Sequence, residues 1–111
     1  MLKKDHKKRR KEVNRQALIK ILDIIGRTTY ITEADWQKVE VLNSLKKSLC
    51  GFVRFVRNRR ILGWLGELNG FGFIEDFCKG KRNLDITSLR EYINTIYGSL
   101  LETVDYEDKV Y

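Results

Sequence analysis

The chain has 111 residues, 42% hydrophobic and 33% charged, with a formal net charge of +7 and no proline. That length holds one domain, and that balance of apolar and charged residues suits a folded chain rather than a disordered one. The apolar residues fall in short helical clusters and the basic N-terminus leads into no uniform apolar stretch, so neither a bilayer span nor a secretory signal is expected and a cytoplasmic location follows.

The first predicted element is a helix over about 6–25. Val13, Ala17, Leu18, Ile21, Leu22, Ile24 and Ile25 recur at helical spacing, and Gly26 stands where a helix would end. Its first turns, from Lys3 to Lys11, contain no apolar residue and cannot pack, so residues 1–11 are expected to project as a basic arm. The competing reading of such a run is a solvated, frayed end.

After a polar link over 27–30, Thr32 followed by Asp35 reads as a helix N-cap with an acid in the first turn. One unbroken helix is expected from there to about residue 60. At 100° per residue, Val41, Leu42, Leu45, Leu49, Phe52, Val53, Phe55 and Val56 share a face, with Lys46, Lys47, Cys50, Arg54 and Arg57 off it. Lys46 and Arg57 fall on the flank of the apolar stripe, and Lys47 and Arg54 on the opposite, polar side. Arg54, Arg57, Arg59 and Arg60 crowd the last turns, where they also suit the negative end of the helix dipole.

Between Ile61 and Gly80, five glycines interrupt a strongly apolar stretch, and two readings remain open. In one, a short helix over 61–68 is capped at Asn69 and Gly70, and a second runs from Phe71 to Lys79. In the other, Asn69-Gly70 is the turn of a hairpin pairing Trp64 to Leu68 with Phe71 to Ile74. The last element is a helix with Asp85 or Thr87 as N-cap. It carries Leu89, Tyr92, Ile93, Ile96, Tyr97, Leu100, Leu101 and Val104 at core-type positions, and a short acidic tail, residues 105–111, follows. The fold expected is all-α, a four- or five-helix bundle. Its core is expected at Leu18, Ile21, Leu22, Leu45, Leu49, Phe52, Val56, Ile93, Ile96 and Leu100.

Charge divides the chain. Residues 1–60 hold 17 Lys and Arg against 6 Asp and Glu, whereas residues 61–111 hold 5 against 9. An imbalance of +11 against −4 points to a polyanionic partner for the first half, and nucleic acid is the commonest such partner. The candidate phosphate contacts are Lys3, Lys4, Lys7, Lys8, Arg9, Arg10 and Lys11 in the arm, with Lys46, Lys47, Arg54, Arg57, Arg59 and Arg60 on the second helix. From Lys47 to Arg60 such a ladder would rise about 20 Å at ~1.5 Å per residue. The plainer reading of the same arginines is solvation and dipole complement. Protein contacts or self-association are expected through Leu89 to Val104 or the apolar 61–77 region.

Catalytic chemistry finds no footing in the sequence, and no enzyme, cofactor or metal is expected. The one histidine, His6, lies among lysines that disfavour its protonated form, and Glu75 and Asp76 are adjacent and so point apart. Cys50 and Cys78 stand 28 residues apart with no second ligand near either, so they read as two buried thiols rather than a zinc site or a disulfide.

Residues 13–75 resemble a winged helix-turn-helix in the order and length of their elements. That resemblance makes 44–60 the recognition helix, 64–74 the wing and Leu89 to Val104 a dimerisation helix, with Lys46, Lys47, Arg54 and Arg57 at the major groove of a specific DNA site. Over its whole length the chain also resembles the small, basic, helix-only subunits of CRISPR effector complexes, which implies backbone contact without catalysis or sequence reading. A third reading, a phage or immunity-type inhibitor acting on a protein through Trp36, Trp64 and Phe71, needs no nucleic acid.

Overall fold

A computed structural model of the chain describes residues 2–59, 61 and 70–110, with side chains for 12–59, 61 and 70–104. Five helices, and no strand, occur among the described residues: α1 (Leu2–Thr28), α2 (Glu33–Trp36), α3 (Val39–Asn58), α4 (Phe71–Cys78) and α5 (Ile86–Val110). The all-α bundle is therefore the fold, and Phe71 to Ile74, half of the alternative hairpin, is helical. Without that strand the winged arrangement has no wing. The other half, Trp64 to Leu68, and the competing helix over 61–68 lie outside the described residues.

The frame is α1 against α5, the most extensive helix pairing. Where side chains are described, the buried residues of α1 are Asn14, Ala17, Ile21, Ile24 and Thr28, and those of α5 include Ile86, Leu89, Ile93, Ile96 and Leu100. Both sets step by three and four in alternation, the spacing that lets two helices interlock along a narrow seam. Leu22 stands about 100° from that seam and is 44% exposed, so the expectation that it belongs to the core fails, and Leu18 is only partly buried beside it. The other eight expected core residues are buried.

α1 runs past Gly26, contrary to the sequence reading. Gly26 is not among the glycines with positive φ, so nothing there turns the chain. The helix ends where its last carbonyls find another donor: the Arg90 guanidinium, from the first turns of α5, donates to Thr28 O at 3.0 and 3.2 Å and to Ile31 O. One side chain thus caps α1 and sets α5 running antiparallel to it.

The N-cap at Thr32 forms as expected, its hydroxyl accepting the Asp35 N–H at 3.1 Å. The unbroken helix over 33–60 does not. Lys38 is extended, with φ −76 and ψ 127, and separates the single turn of α2 from α3. The break is stabilised by Trp36, which is buried, stacks on Phe77 at 5.8 Å and donates its indole N–H to Leu84 O at 2.9 Å. A straight helix could not aim that ring at α4.

From Lys38 onward the expected stripe holds. Leu45, Leu49, Phe52, Val53 and Val56 are buried, and α3 packs on α1 along one flank and on α4 along the other. Asp85 is the N-cap of α5, accepting the Ser88 N–H at 2.7 Å, and the Ser88 hydroxyl, with this backbone bond after it, holds its carboxyl below the ordinary value. The apolar face that made Leu89 to Val104 a candidate for self-association is spent inside the chain. Leu89, Ile93, Ile96, Leu100 and Val104 are all buried, and on that stretch Leu101 is the large apolar residue left exposed. No described helix is long and apolar enough to cross a membrane.

Candidate nucleic-acid interface

α3 presents three longitudinal faces, and its cations divide among them. Its buried face centres on Val56 and Leu49, and the flank toward α4 carries Lys46, Cys50 and Arg57. There the cations are already engaged: Lys46 Nζ lies 4.8 Å above the Phe77 ring, and Arg57 forms an ion pair with Glu75. These two expected phosphate contacts are thus tied to α4, and Arg57 has its charge balanced by a carboxylate that also faces Lys79 at 4.0 Å.

The outer ridge is different. Lys47 and Arg54 are exposed, seven residues and hence about 10 Å apart along the axis. Among the described residues neither has an ion-pair or ring partner. Local sequence explains why. Positions three and four away from Lys47 hold Asn43, Ser44, Cys50 and Gly51, and those around Arg54 hold Cys50, Gly51, Arg57 and Asn58, so no acid lies within helical reach.

On the flank toward α1 the half-buried Phe55 ring is approached by two cations from different helices. Lys20 Nζ of α1 lies 5.0 Å and the Arg59 guanidinium 5.9 Å from its centroid. Such contacts position a cation while leaving its charge unneutralised. Beside them an open groove between α1 and α3 is lined by Ile19, Lys20, Asp23, Ile24, Ser48, Gly51 and Phe52. A Cβ at Gly51 would meet nothing within 4 Å, so the groove floor stays low between Lys47 and Arg54. The groove sets Lys20, Asp23 and Ser48 beside Ile19, Ile24 and Phe52, with Asp23 paired to Arg27 at 2.9 Å, and Lys47 and Arg54 stand on the same helix as its Gly51 floor.

Of the remaining expected residues, Arg60 and the side chains of Lys3, Lys4, Lys7, Lys8, Arg9, Arg10 and Lys11 lie outside the described residues; the backbone of 3–11 belongs to α1. The sequence reading missed Lys20, whose position on the flank beside Ala17 and Ile24 was the available signal. It also passed over the turn Lys79-Gly80-Lys81-Arg82, which follows α4. There Gly80 takes a φ of +74 and Arg82 stacks over Phe73 at 4.2 Å, placing cations in the half of the chain counted as acidic. No group of three or more His, Cys, Asp or Glu that could hold a metal occurs among the described residues. Comparison with protein-family models, with curated proteins and with solved structures found no match to this chain.

Proposed function

We propose that this chain is a non-enzymatic nucleic-acid-binding protein that grips the phosphate backbone with the outer ridge of α3 and the adjoining edge of α1. The observation that carries this reading is the pair Lys47 and Arg54, exposed and without a partner among the described residues while Lys46 and Arg57 on the same helix are engaged. Unpaired cations of one sign on a rigid ridge cost self-repulsion and return nothing to the fold, whereas each phosphate they meet releases a bound counterion. Lys20 and Arg59, held against Phe55, extend the same positive edge.

Contacts of this kind position a strand without reading its bases, so binding is salt-governed and nearly indifferent to sequence. It is how the small helical subunits of CRISPR effector complexes, which the chain resembles in length, charge and helix content, would use such a surface. The test is charge reversal, Lys47→Glu with Arg54→Glu, reading both affinity for a random oligonucleotide across a salt series and oligomeric state by light scattering. Loss of two phosphate contacts should weaken binding at least tenfold and flatten the slope of log K against log salt by roughly 1.5–2. If the variant loses assembly yet binds as the parent does, the ridge joins copies of the chain; if the parent itself does not bind at low salt, the reading fails outright.

A further inference from the structure

Cys50 and Cys78, distant in sequence, meet in the fold. Cys50 lies on the flank of α3 that faces α4, Cys78 is the last residue of α4, and the Cys50 thiol donates to the Cys78 carbonyl at 3.6 Å. Both are half-buried and free. Their approach is fixed on either side along α3: one turn before Cys50, Lys46 sits over Phe77, and two turns after it, Arg57 pairs with Glu75. Burial, and after it the hydrogen bond and charge of Cys50, push the Cys78 thiol up to about 12. The pair belongs neither to the basic ridge nor to the main seam.

We propose that Cys50 and Cys78 are an oxidisable dithiol whose disulfide staples α3 to the C-terminal end of α4, with a peroxide as the oxidant. A disulfide requires the sulfurs to close to ~2 Å, and the contact of the Cys50 sulfur with the Cys78 carbonyl at 3.6 Å is what brings the two residues together. In the first step the Cys50 thiolate attacks hydrogen peroxide, breaking the O–O bond, releasing hydroxide and forming a sulfenic acid. In the second, the Cys78 sulfur attacks the Cys50 sulfur and gives up its proton as the S–O bond breaks and water leaves. The two thiols lose two electrons in all, and one peroxide becomes two waters. Because the cross-link closes a long loop between α3 and α4, it restricts the unfolded chain and raises the melting temperature.

The experiment uses the full chain in native buffer, treated with hydrogen peroxide and read by intact mass, peptide mapping and thermal melting. The expected product weighs two hydrogens less, joins the peptides containing residues 50 and 78, melts higher, and returns to the starting state with dithiothreitol. Cys50→Ser and Cys78→Ser, each checked for folding by circular dichroism, should both lose that product. Sulfur that gains oxygen without losing hydrogen, a chain that keeps its reduced mass, or cross-links found only between chains would each overturn the proposal; the parent alone suffices to show any of them.

Discussion

Gly70 shows how one residue carries a requirement that its neighbours in sequence do not reveal. It stands at the N-cap of α4 with φ +104, and a Cβ there would lie 2.6 Å from Cδ1 of Tyr92, a contact that the Tyr92 ring, itself against Phe73 at 5.4 Å, cannot easily relieve. Gly70→Ala combines left-handed strain with overpacking and should cost about 2–4 kcal/mol, read as a lower urea midpoint. Gly26→Ala should do the reverse and gain roughly 0.5–1 kcal/mol, since Gly26 is helical with open space around it. At Gly70 the sequence signal announced a special backbone position correctly, and the close approach of Tyr92, 22 residues away, is a second reason for glycine there that sequence does not reveal; Asn69 lies outside the described residues. Leu22 was misjudged for a related reason. It is as apolar as Ile21, and only the partner helix decides which of two adjacent side chains falls on the seam.

At the level of elements, periodicity was legible wherever a helix had one apolar face, which is why α3 and α5 follow their stripes closely. The break at Lys38 left one sign in the pattern, since in a continuous helix Trp36 would stand about 180° from Leu45 and off the buried face, but the contact that draws it inward is distant in sequence. Trp36 takes its partner from Leu84 and its stacking face from Phe77. Trp36→Phe keeps most of the stacking but leaves the Leu84 carbonyl without its indole donor, and should lower stability by about 1–3 kcal/mol in denaturant titration. A substitution without effect would mean that water serves that carbonyl as well and that α2 is held by the Thr32 cap alone. The end of α1 was illegible for the same reason as the break. Gly26 resembled a stop signal, while the actual terminator is Arg90, 62 residues from the Thr28 carbonyl it caps.

Across the whole molecule, the charge imbalance between the two halves was plain from counting, and helical geometry was enough to aim Lys47 and Arg54 outward. What counting could not do was separate cations the fold uses from cations it leaves over: Arg57 and Lys46 are claimed by Glu75 and Phe77 on α4, whose position depends on tertiary packing. That separation yields a test of the ridge that requires no ligand. If Lys47 and Arg54 serve the fold, neutralising them removes attractive contacts and the protein melts lower. If they are held for a polyanion, they contribute only repulsion within a chain of net charge +7, including that between Arg54 and Arg57 one turn apart. Lys47→Gln with Arg54→Gln should then raise stability slightly, by roughly 0.2–0.5 kcal/mol at low salt, with the gain shrinking as salt screens the parent's own repulsion. Added nucleic acid should reverse the order, stabilising the parent in proportion to the ligand it binds and the variant much less. A double variant less stable than the parent at every salt concentration would return both cations to the service of the fold and remove the observation on which the binding surface rests.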